Sequence, residues 1–149
     1  MSYCTWINYG YGVETPTNPI TFENLKKFLG NHKVVKEWIQ DVIENEVVDE
    51  DITIIDDYEG KDCECCGIAS MLKDVIQDED NIRLVACDDY DGRYFLIFTP
   101  RYPWDDMTDE EKIIKTQDDI KNLISPYLVE LYGEKYMPEF EYKEVENGG

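Results

Sequence analysis

Basic residues are scarce in this sequence. Fourteen lysines and arginines stand against 34 aspartates and glutamates, which leaves a formal net charge of −20 over 149 residues. This charge argues against direct binding to nucleic acid or to an anionic membrane, because both repel a polyanion. It is compatible with a basic protein partner, with divalent cations, or with solubility alone.

Targeting and membrane segments are also lacking. The first twelve residues have neither the basic start nor the apolar core of a secretory signal peptide. No apolar run approaches the roughly 20 residues that a membrane span needs. The five cysteines are an odd number, and three of them crowd into Cys63-Glu-Cys65-Cys66, which is a poor disulfide framework. We therefore expect a cytoplasmic protein with reduced thiols and no membrane contact.

Enzyme motifs are missing as well. The sequence contains no phosphate loop, no nucleophile elbow and no HExxH motif. The single histidine, His32, falls at a predicted junction of two helices without an evident partner. Carboxylate pairs are numerous, but at this composition they arise by chance, so none marks an acid–base pair. The sequence predicts a non-catalytic protein without a cofactor.

The strongest structural signal that is present is a β-hairpin over residues 82–99. Two apolar runs, Ile82–Cys87 and Tyr94–Thr99, flank an acidic turn with Asp91-Gly92, which is typical of a two-residue type I′ turn. That turn would pair Tyr90 with Arg93, Cys87 with Leu96, and Val85 with Phe98. The hairpin would then be apolar on both faces, so we expect it to lie centrally in the fold with cover on both sides.

Helices and further strands flank the hairpin. Helical spacing of apolar residues predicts helices over 22–29, 34–45, 67–77 and 108–132, the last opened by a Thr108-x-x-Glu111 capping box and kinked or restarted at Ser125-Pro126. Alternation predicts a strand near residues 3–9 that enters a glycine-rich loop, a last strand near 139–143, and a short edge strand at Ile52–Ile55. The predicted fold is a single α+β domain over residues 1–149, with an antiparallel sheet of four or five strands around the central hairpin and about four covering helices.

Aromatic residues are plentiful near the predicted strands and after the hairpin. Several are suited to stacking on a base or a sugar: Tyr3, Trp6, Tyr9, Tyr11, Tyr102 and Trp104. In a chain with eleven tyrosines, packing accounts for most of them.

Both ends of the chain carry short motifs. The chain opens with MSYxTWxxYGYG and closes with ENGG, and it contains an Asp-Asp-x-Asp-Gly turn. In these motifs it resembles a set of small acidic proteins, without assigned activity, from gut Firmicutes and their mobile elements. The resemblance implies a genomic setting and supplies no catalytic residues.

Two acidic turns repeat one charge pattern. Residues 56–61 and 88–93 match in charge type at every position. Neither is an EF-hand, because the first and twelfth ligand positions would fall on apolar or thiol side chains. A looser cation site remains an alternative. The predicted partner-binding residues are those of the two turns: Asp56, Asp57, Tyr58, Glu59, Asp88, Asp89, Tyr90 and Asp91.

The crowded cysteines offer a different hypothesis. Cys63, Cys65 and Cys66 form a C-x-C-C sequence, whereas structural zinc usually takes C-x₂₋₄-C pairs. Cys65 is in phase with the apolar face of the following helix, so small core side chains are the favoured interpretation. A metal- or thiol-dependent module built on this segment is the alternative function.

The preferred function follows from the charge. Clustered carboxylates can imitate phosphates and attract a basic cleft. We therefore expect an inhibitor or neutraliser of a basic, nucleic-acid-handling protein, such as a nuclease or a CRISPR effector. DNA mimics, anti-CRISPR proteins and nuclease immunity proteins act in this way.

Overall fold

A computed structural model of the chain describes residues 4–18, 20–38, 52–60, 65–136 and 138–148. Within these ranges the chain forms four strands and five α-helices around one main core. In chain order they are β1 (Thr5–Glu14), α1 (Phe22–Asn31), α2 (Lys33–Trp38), α3 (Ile68–Asp80), β2 (Val85–Asp88), β3 (Tyr94–Phe98), α4 (Asp109–Lys112), α5 (Gln117–Tyr132) and β4 (Glu141–Gly148), with a 3₁₀ helix at Ile52–Asp57. The predicted single α+β domain is confirmed.

The described strands form one antiparallel sheet in the order β2-β3-β1-β4. The predicted sheet of four or five strands is therefore confirmed. Within the hairpin, β3 lies inside the sheet, while β2 forms one edge. The other inner strand is β1, which pairs with β3 on one side and with β4 on the other.

The register of the hairpin differs from the predicted one by a single residue. Observed partners are Val85 with Ile97, Ala86 with Leu96, Cys87 with Phe95, and Asp88 with Tyr94. The Asp89 N–H donates to the Arg93 carbonyl at 3.0 Å, which leaves a loop of three residues, 90–92, of which only Gly92 has a positive φ, of 75°. The carboxylate of Asp89 causes this change, because its Oδ1 accepts the N–H groups of Asp91 and Arg93 at 3.0 and 2.9 Å. The prediction of a two-residue turn is wrong, and so are the predicted cross-strand partners, because a shift of one residue exchanges the faces of one strand relative to the other.

Strand β1 continues through the glycines that suggested a loop. A Cβ on Gly10 would lie 2.0 Å from the carbonyl oxygen of Phe98, and one on Gly12 would lie 2.2 Å from that of Leu96. Real Cβ atoms do not approach backbone oxygens so closely, so only glycine fits at these two positions. Gly10 also has a φ of +144°, a conformation that other residues rarely adopt.

The two faces of the sheet are covered differently. On one face α3 packs against β2 and β3, and α5 packs against β1, around the main core. Of the predicted covering helices, 67–77 corresponds to α3, which lies on the hairpin, and 108–132 includes α5, which lies on β1. The largest fully buried side chains include Leu25, Phe28, Leu29, Met71, Leu72, Ile76, Leu96, Ile124 and Leu128.

On the opposite face, a smaller cluster joins the hairpin to β4. Val145 packs there with Cys87, Phe95 and Ile97. The side-chain amide of Asn147 donates to the carbonyl and carboxylate of Asp88 at 2.9 and 3.0 Å. Strand β4 thus lies close to the hairpin although β1 separates the two in the sheet order. Both faces of the hairpin are covered, as its apolar pattern predicts.

The helical region after the hairpin has its break at an unexpected place. The Thr108–Glu111 capping box is present, but the helix that it opens ends at Lys112, and a second capping box from Thr116 and Asp119 starts α5. Helix α5 then runs through Pro126 to Tyr132, and Gly133 follows it. The predicted restart at Ser125-Pro126 is therefore wrong, because Pro126 lies inside a continuous helix.

Two other predicted elements differ from the observed structure or are described only in part. Ile52–Ile55 begins a 3₁₀ helix instead of an edge strand, and the N–H of Tyr58 donates to the carbonyl of Ile55 at 2.9 Å. This turn buries Ile55 in the main core. Of the predicted helix 34–45, the structure describes the part that ends at Trp38, and the rest lies outside the described residues.

His32 does have partners, contrary to the sequence analysis. Its buried ring joins Glu79 on α3 to Glu130 on α5, with Nε2 at 2.8 Å from the Glu130 carboxylate. Burial alone would lower the pKa of His32, but the hydrogen bonds with Glu130 and Glu79 raise it above its ordinary value. The histidine is thus a link between helices α1, α3 and α5, on the side of the molecule that holds the main core.

Candidate partner-binding surface

The first acidic turn follows the 3₁₀ helix. Asp56, Asp57 and Glu59 are exposed. Tyr58 instead is 7% exposed, and its hydroxyl donates to Oδ2 of the buried Asp74 at 2.8 Å. The expectation that Tyr58 supplies contact area to a partner is wrong, because its ring belongs to the main core and its polar group already has a buried partner.

The second acidic turn is the hairpin loop itself. Tyr90 and Asp91 are exposed, whereas Asp88 and Asp89 are partly buried. Desolvation alone would raise the pKa of Asp89, but hydrogen bonds from Arg93 and from the Asp91 N–H lower it. The Arg93 guanidinium donates from Nε to Asp89 Oδ2 at 2.8 Å. Asp89 therefore holds the loop, and Tyr90 and Asp91 are the parts of the turn that a partner can reach.

The two turns lie at the same end of the sheet. Charges of both turns affect the pKa of Tyr94, the first residue of β3. Burial raises the pKa of its hydroxyl, and the charges of Asp88 and Asp56 raise it further. Hydrogen bonds place the first turn at the same strand end, because the Thr15 N–H donates to the Tyr94 carbonyl at 2.9 Å and the Thr17 hydroxyl donates to the Asp56 carboxylate. The predicted residues other than Tyr58 are thus brought to one region of the surface.

The hairpin loop also forms one wall of a groove with β4. This acidic groove has a volume of about 410 Å³ and is lined by the hairpin loop, Phe95 and Glu141–Glu146. Its two cations lie over the Phe95 ring, with the Lys143 Nζ at 5.3 Å and the Arg93 Cζ at 5.8 Å from the ring centroid. Arg93 pairs with Asp89 at 2.8 Å, and Lys143 pairs with Glu141 at 2.8 Å.

Two carboxylates of the groove have no such compensation. Among the described residues, neither Glu144 nor Glu146 forms an ion pair, and both are exposed. The sequence analysis did not connect these glutamates with the hairpin. Their alternation with apolar residues along β4 is visible in the sequence, but their position beside the hairpin loop depends on tertiary packing.

A group of exposed aromatic rings continues from the groove. Trp104 is 78% and Tyr102 is 54% exposed, and their rings stack with centroids 4.8 Å apart. A hydrogen bond with Tyr102 raises the pKa of Tyr9, and the neighbouring Tyr142 also contributes. Tyr142 lines the acidic groove as well. We call Tyr9, Tyr102, Trp104 and Tyr142 the aromatic surface.

Packing does not explain these rings, in contrast to the expectation from composition. Of the aromatics that the sequence singled out, Tyr11 is half-buried and packs edge-on against Tyr142, whereas Trp6, Tyr9, Tyr102 and Trp104 are exposed. Tyr3 lies outside the described residues. Contiguous exposed aromatics that adjoin charged residues are typical of protein–protein interfaces.

The cysteine segment is only partly described. Cys63 lies outside the described residues, Cys65 is buried against Ala69 and Ala86, and Cys66 is half-buried. The core interpretation of Cys65 is confirmed. Within the described ranges, His, Cys, Asp and Glu side chains form no group of three or more that could hold a metal ion. The zinc hypothesis stays a prediction, because it involves Cys63.

Comparison with known proteins adds no homologue. No protein-family model, curated protein or solved structure matches the chain. Among the helices that the structure describes, none is both long and apolar enough to cross a membrane. The class that the fold and the surface define is therefore an α+β domain with an acidic groove and an adjoining aromatic surface.

Proposed function

We propose that this chain is a non-catalytic acidic protein that binds and neutralises a basic, nucleic-acid-handling protein in the cytoplasm. The observation that carries the proposal is that the two acidic turns lie at one end of the sheet: Asp56 accepts a hydrogen bond from Thr17, and the nearby Thr15 N–H donates to the carbonyl of Tyr94, which follows the hairpin loop. With Glu144 and Glu146 beside the hairpin loop, carboxylates from three separate segments gather at one end of the molecule.

The charge and the aromatic rings have different roles in this proposal. A net charge of −20 attracts a basic cleft and speeds the encounter, but salt screens it beyond about 8 Å at physiological ionic strength. Stable docking therefore needs contact area. The aromatic surface supplies it, since tyrosine and tryptophan are the residues that most often anchor interfaces. Arginine side chains of the partner can stack on these rings while they pair with nearby carboxylates.

The resemblance of the chain ends to proteins of mobile elements supports the same proposal. Mobile elements gain from neutralising nucleases and CRISPR effectors, whose nucleic-acid clefts are basic. A nuclease immunity protein would use the same surface against a nuclease partner. In each case the partner is a basic protein, and nucleic acid itself is not bound.

The proposal predicts that capture of a basic partner depends on where the charges lie. In one variant, called the groove variant, Asp57 and Glu59 of the first turn and Asp91 and Glu146 of the acidic groove are changed to Lys; all four side chains are exposed. In a matched control variant, Glu37, Asp78, Asp118 and Glu134 are changed to Lys. Both variants have a net charge of −12 instead of −20.

Immobilised wild type and both variants are exposed to a bacterial lysate at about 0.15 M and about 1 M salt, where the Debye length falls from about 8 Å to about 3 Å. We expect the wild type and the control variant to retain the same basic protein at the lower salt, and the groove variant to bind it about tenfold to hundredfold more weakly. Addition of the wild-type chain should also weaken the binding of the captured protein to a DNA duplex. Equal retention by the two variants would show that only total charge matters, and the proposal would be wrong.

A further inference from the structure

A second cavity lies on the helix-covered side of the sheet, away from the hairpin loop. It has a volume of about 420 Å³ and is enclosed by the sheet, by residues 100–107 and by the segment from α4 to α5. Tyr11 and Phe98 from the sheet and Ile120 from α5 contribute apolar walls. Its size is within the range of cavities that hold small organic ligands.

The charge of this cavity is opposite to that of the molecule. Three cations line it, Arg101, Lys112 and Lys115, together with one carboxylate, Glu111. The chain has only 14 basic residues, so this concentration is unusual for it.

Glu111 does not balance these cations alone, because it is hydrogen-bonded to Arg83 and forms only a longer ion pair with Arg101. Lys112 pairs at 3.7 Å with Asp109, which does not line the cavity. Oε1 of Glu111 accepts the Arg83 Nη2 at 2.8 Å, and Oε2 accepts the Arg83 Nε at 3.1 Å. Arg101 stands farther away, with its Nε 3.8 Å from Glu111 Oε2. That Nε is buried and has no hydrogen-bond partner among the described residues. A buried guanidinium N–H without an acceptor lowers stability unless a ligand or a water molecule accepts its hydrogen bond.

We propose that this cavity binds a small organic monoanion, a carboxylate attached to an apolar or aromatic body. The carboxylate would pair with Arg101, whose planar guanidinium suits bidentate recognition, and Lys112 and Lys115 would add charge at the rim. The body would lie against Tyr11, Phe98 and Ile120. A single negative charge is favoured over a polyanion because the rest of the surface is strongly negative. This proposal does not depend on the protein partner.

The test uses 2-naphthoate as the probe and 2-naphthamide as its neutral counterpart, with methyl NMR spectra of the full chain. We expect saturable shifts of the methyl groups of Met107, Ile114 and Ile120, which line the cavity. Arg101→Gln should weaken naphthoate binding roughly tenfold to hundredfold, in keeping with the loss of a hydrogen bond between charged groups. Naphthamide carries no negative charge, so its affinity for the wild type should be no higher than the affinity of naphthoate for Arg101→Gln.

Two more variants keep the result interpretable if Arg101→Gln lowers stability. Lys115 is exposed and lines the cavity, whereas Lys121 is exposed on α5 and does not line it. Lys115→Gln should weaken naphthoate binding, and Lys121→Gln should leave it unchanged. Equal effects of these two changes, equal binding of the amide, or shifts confined to residues outside the cavity would overturn the proposal.

Discussion

Changing Glu111 to Gln is expected to lower the free energy of unfolding by roughly 2–4 kcal/mol. The Glu111 side chain is fully buried, and its two oxygens accept N–H groups of Arg83 and of Thr108. An amide replaces one acceptor by a donor, so at least one of these N–H groups loses its partner and Arg83 loses its counterion. The estimate is below the upper limit for buried pairs because Arg83 is 39% exposed and water can compensate in part.

The same pair makes stability depend on pH at the acidic end. Burial alone would raise the pKa of Glu111, but hydrogen bonds from Arg83 and Thr108 lower it to about 2 from an ordinary value of 4.5. Because the pKa of Glu111 is lower in the folded state, ionised Glu111 stabilises the fold fully above about pH 4.5. This stabilisation is lost as the pH falls towards 2. The difference in stability between wild type and Glu111→Gln should therefore shrink from pH 7 to pH 3.

Urea unfolding at the two pH values measures both effects. Asp109→Asn, which removes a charge from an exposed side chain on the same short helix, is the matched control and should cost less than about 1 kcal/mol. If the two substitutions cost the same at pH 7, the Arg83–Glu111 pair does not stabilise the fold as argued here.

Changing Gly10 to Ala is expected to destabilise the chain by roughly 2–5 kcal/mol, from strain at positive φ and from overpacking together. The added Cβ would meet the carbonyl oxygen of Phe98 at 2.0 Å. That oxygen belongs to the neighbouring strand, so it cannot move away without disturbing the pairing of β1 with β3.

Gly92→Ala separates the two causes. Gly92 also has a positive φ, of 75°, but a Cβ there would have no atom within 4 Å. Gly92→Ala should lower the free energy of unfolding by only about 1–2 kcal/mol, the usual penalty of the left-handed conformation. Thermal unfolding of both variants gives the comparison. A loss at Gly10 no larger than that at Gly92 would contradict the close approach of β1 and β3.

Local sequence patterns predicted the positions of helices and strands better than the pairing of the strands. The capping box of Thr108 and Glu111 marked a helix start correctly, because capping depends on neighbouring residues alone. The loop length of the hairpin was missed because Asp91-Gly92 suits two kinds of turn, and the side chain of Asp89 decides between them. The break before α5 was missed because the Thr116 box uses an aspartate where Thr108 uses a glutamate.

The candidate surface was predictable in part. The acidic turns could be found from their charge pattern, and the structure brings them to the same end of the sheet through the hydrogen bonds of Thr15 and Thr17. Three other features depend on tertiary packing and had no local signal: the burial of Tyr58, the placement of Glu144 and Glu146 beside the hairpin loop, and the exposure of Trp104. Exposure in particular follows from what the rest of the chain leaves uncovered, which a single sequence does not reveal.

The central claim is that the acidic groove and the aromatic surface form one docking site. Hydrogen exchange of the chain alone and in complex with the captured basic protein tests it most directly. We expect slower exchange at the backbone N–H groups of residues 90–93, of Tyr102, Trp104 and Asp105, and of residues 141–146, and unchanged exchange along α1 and α2. Protection confined to α1 and α2, with residues 90–93 and 141–146 unaffected, would contradict the claim.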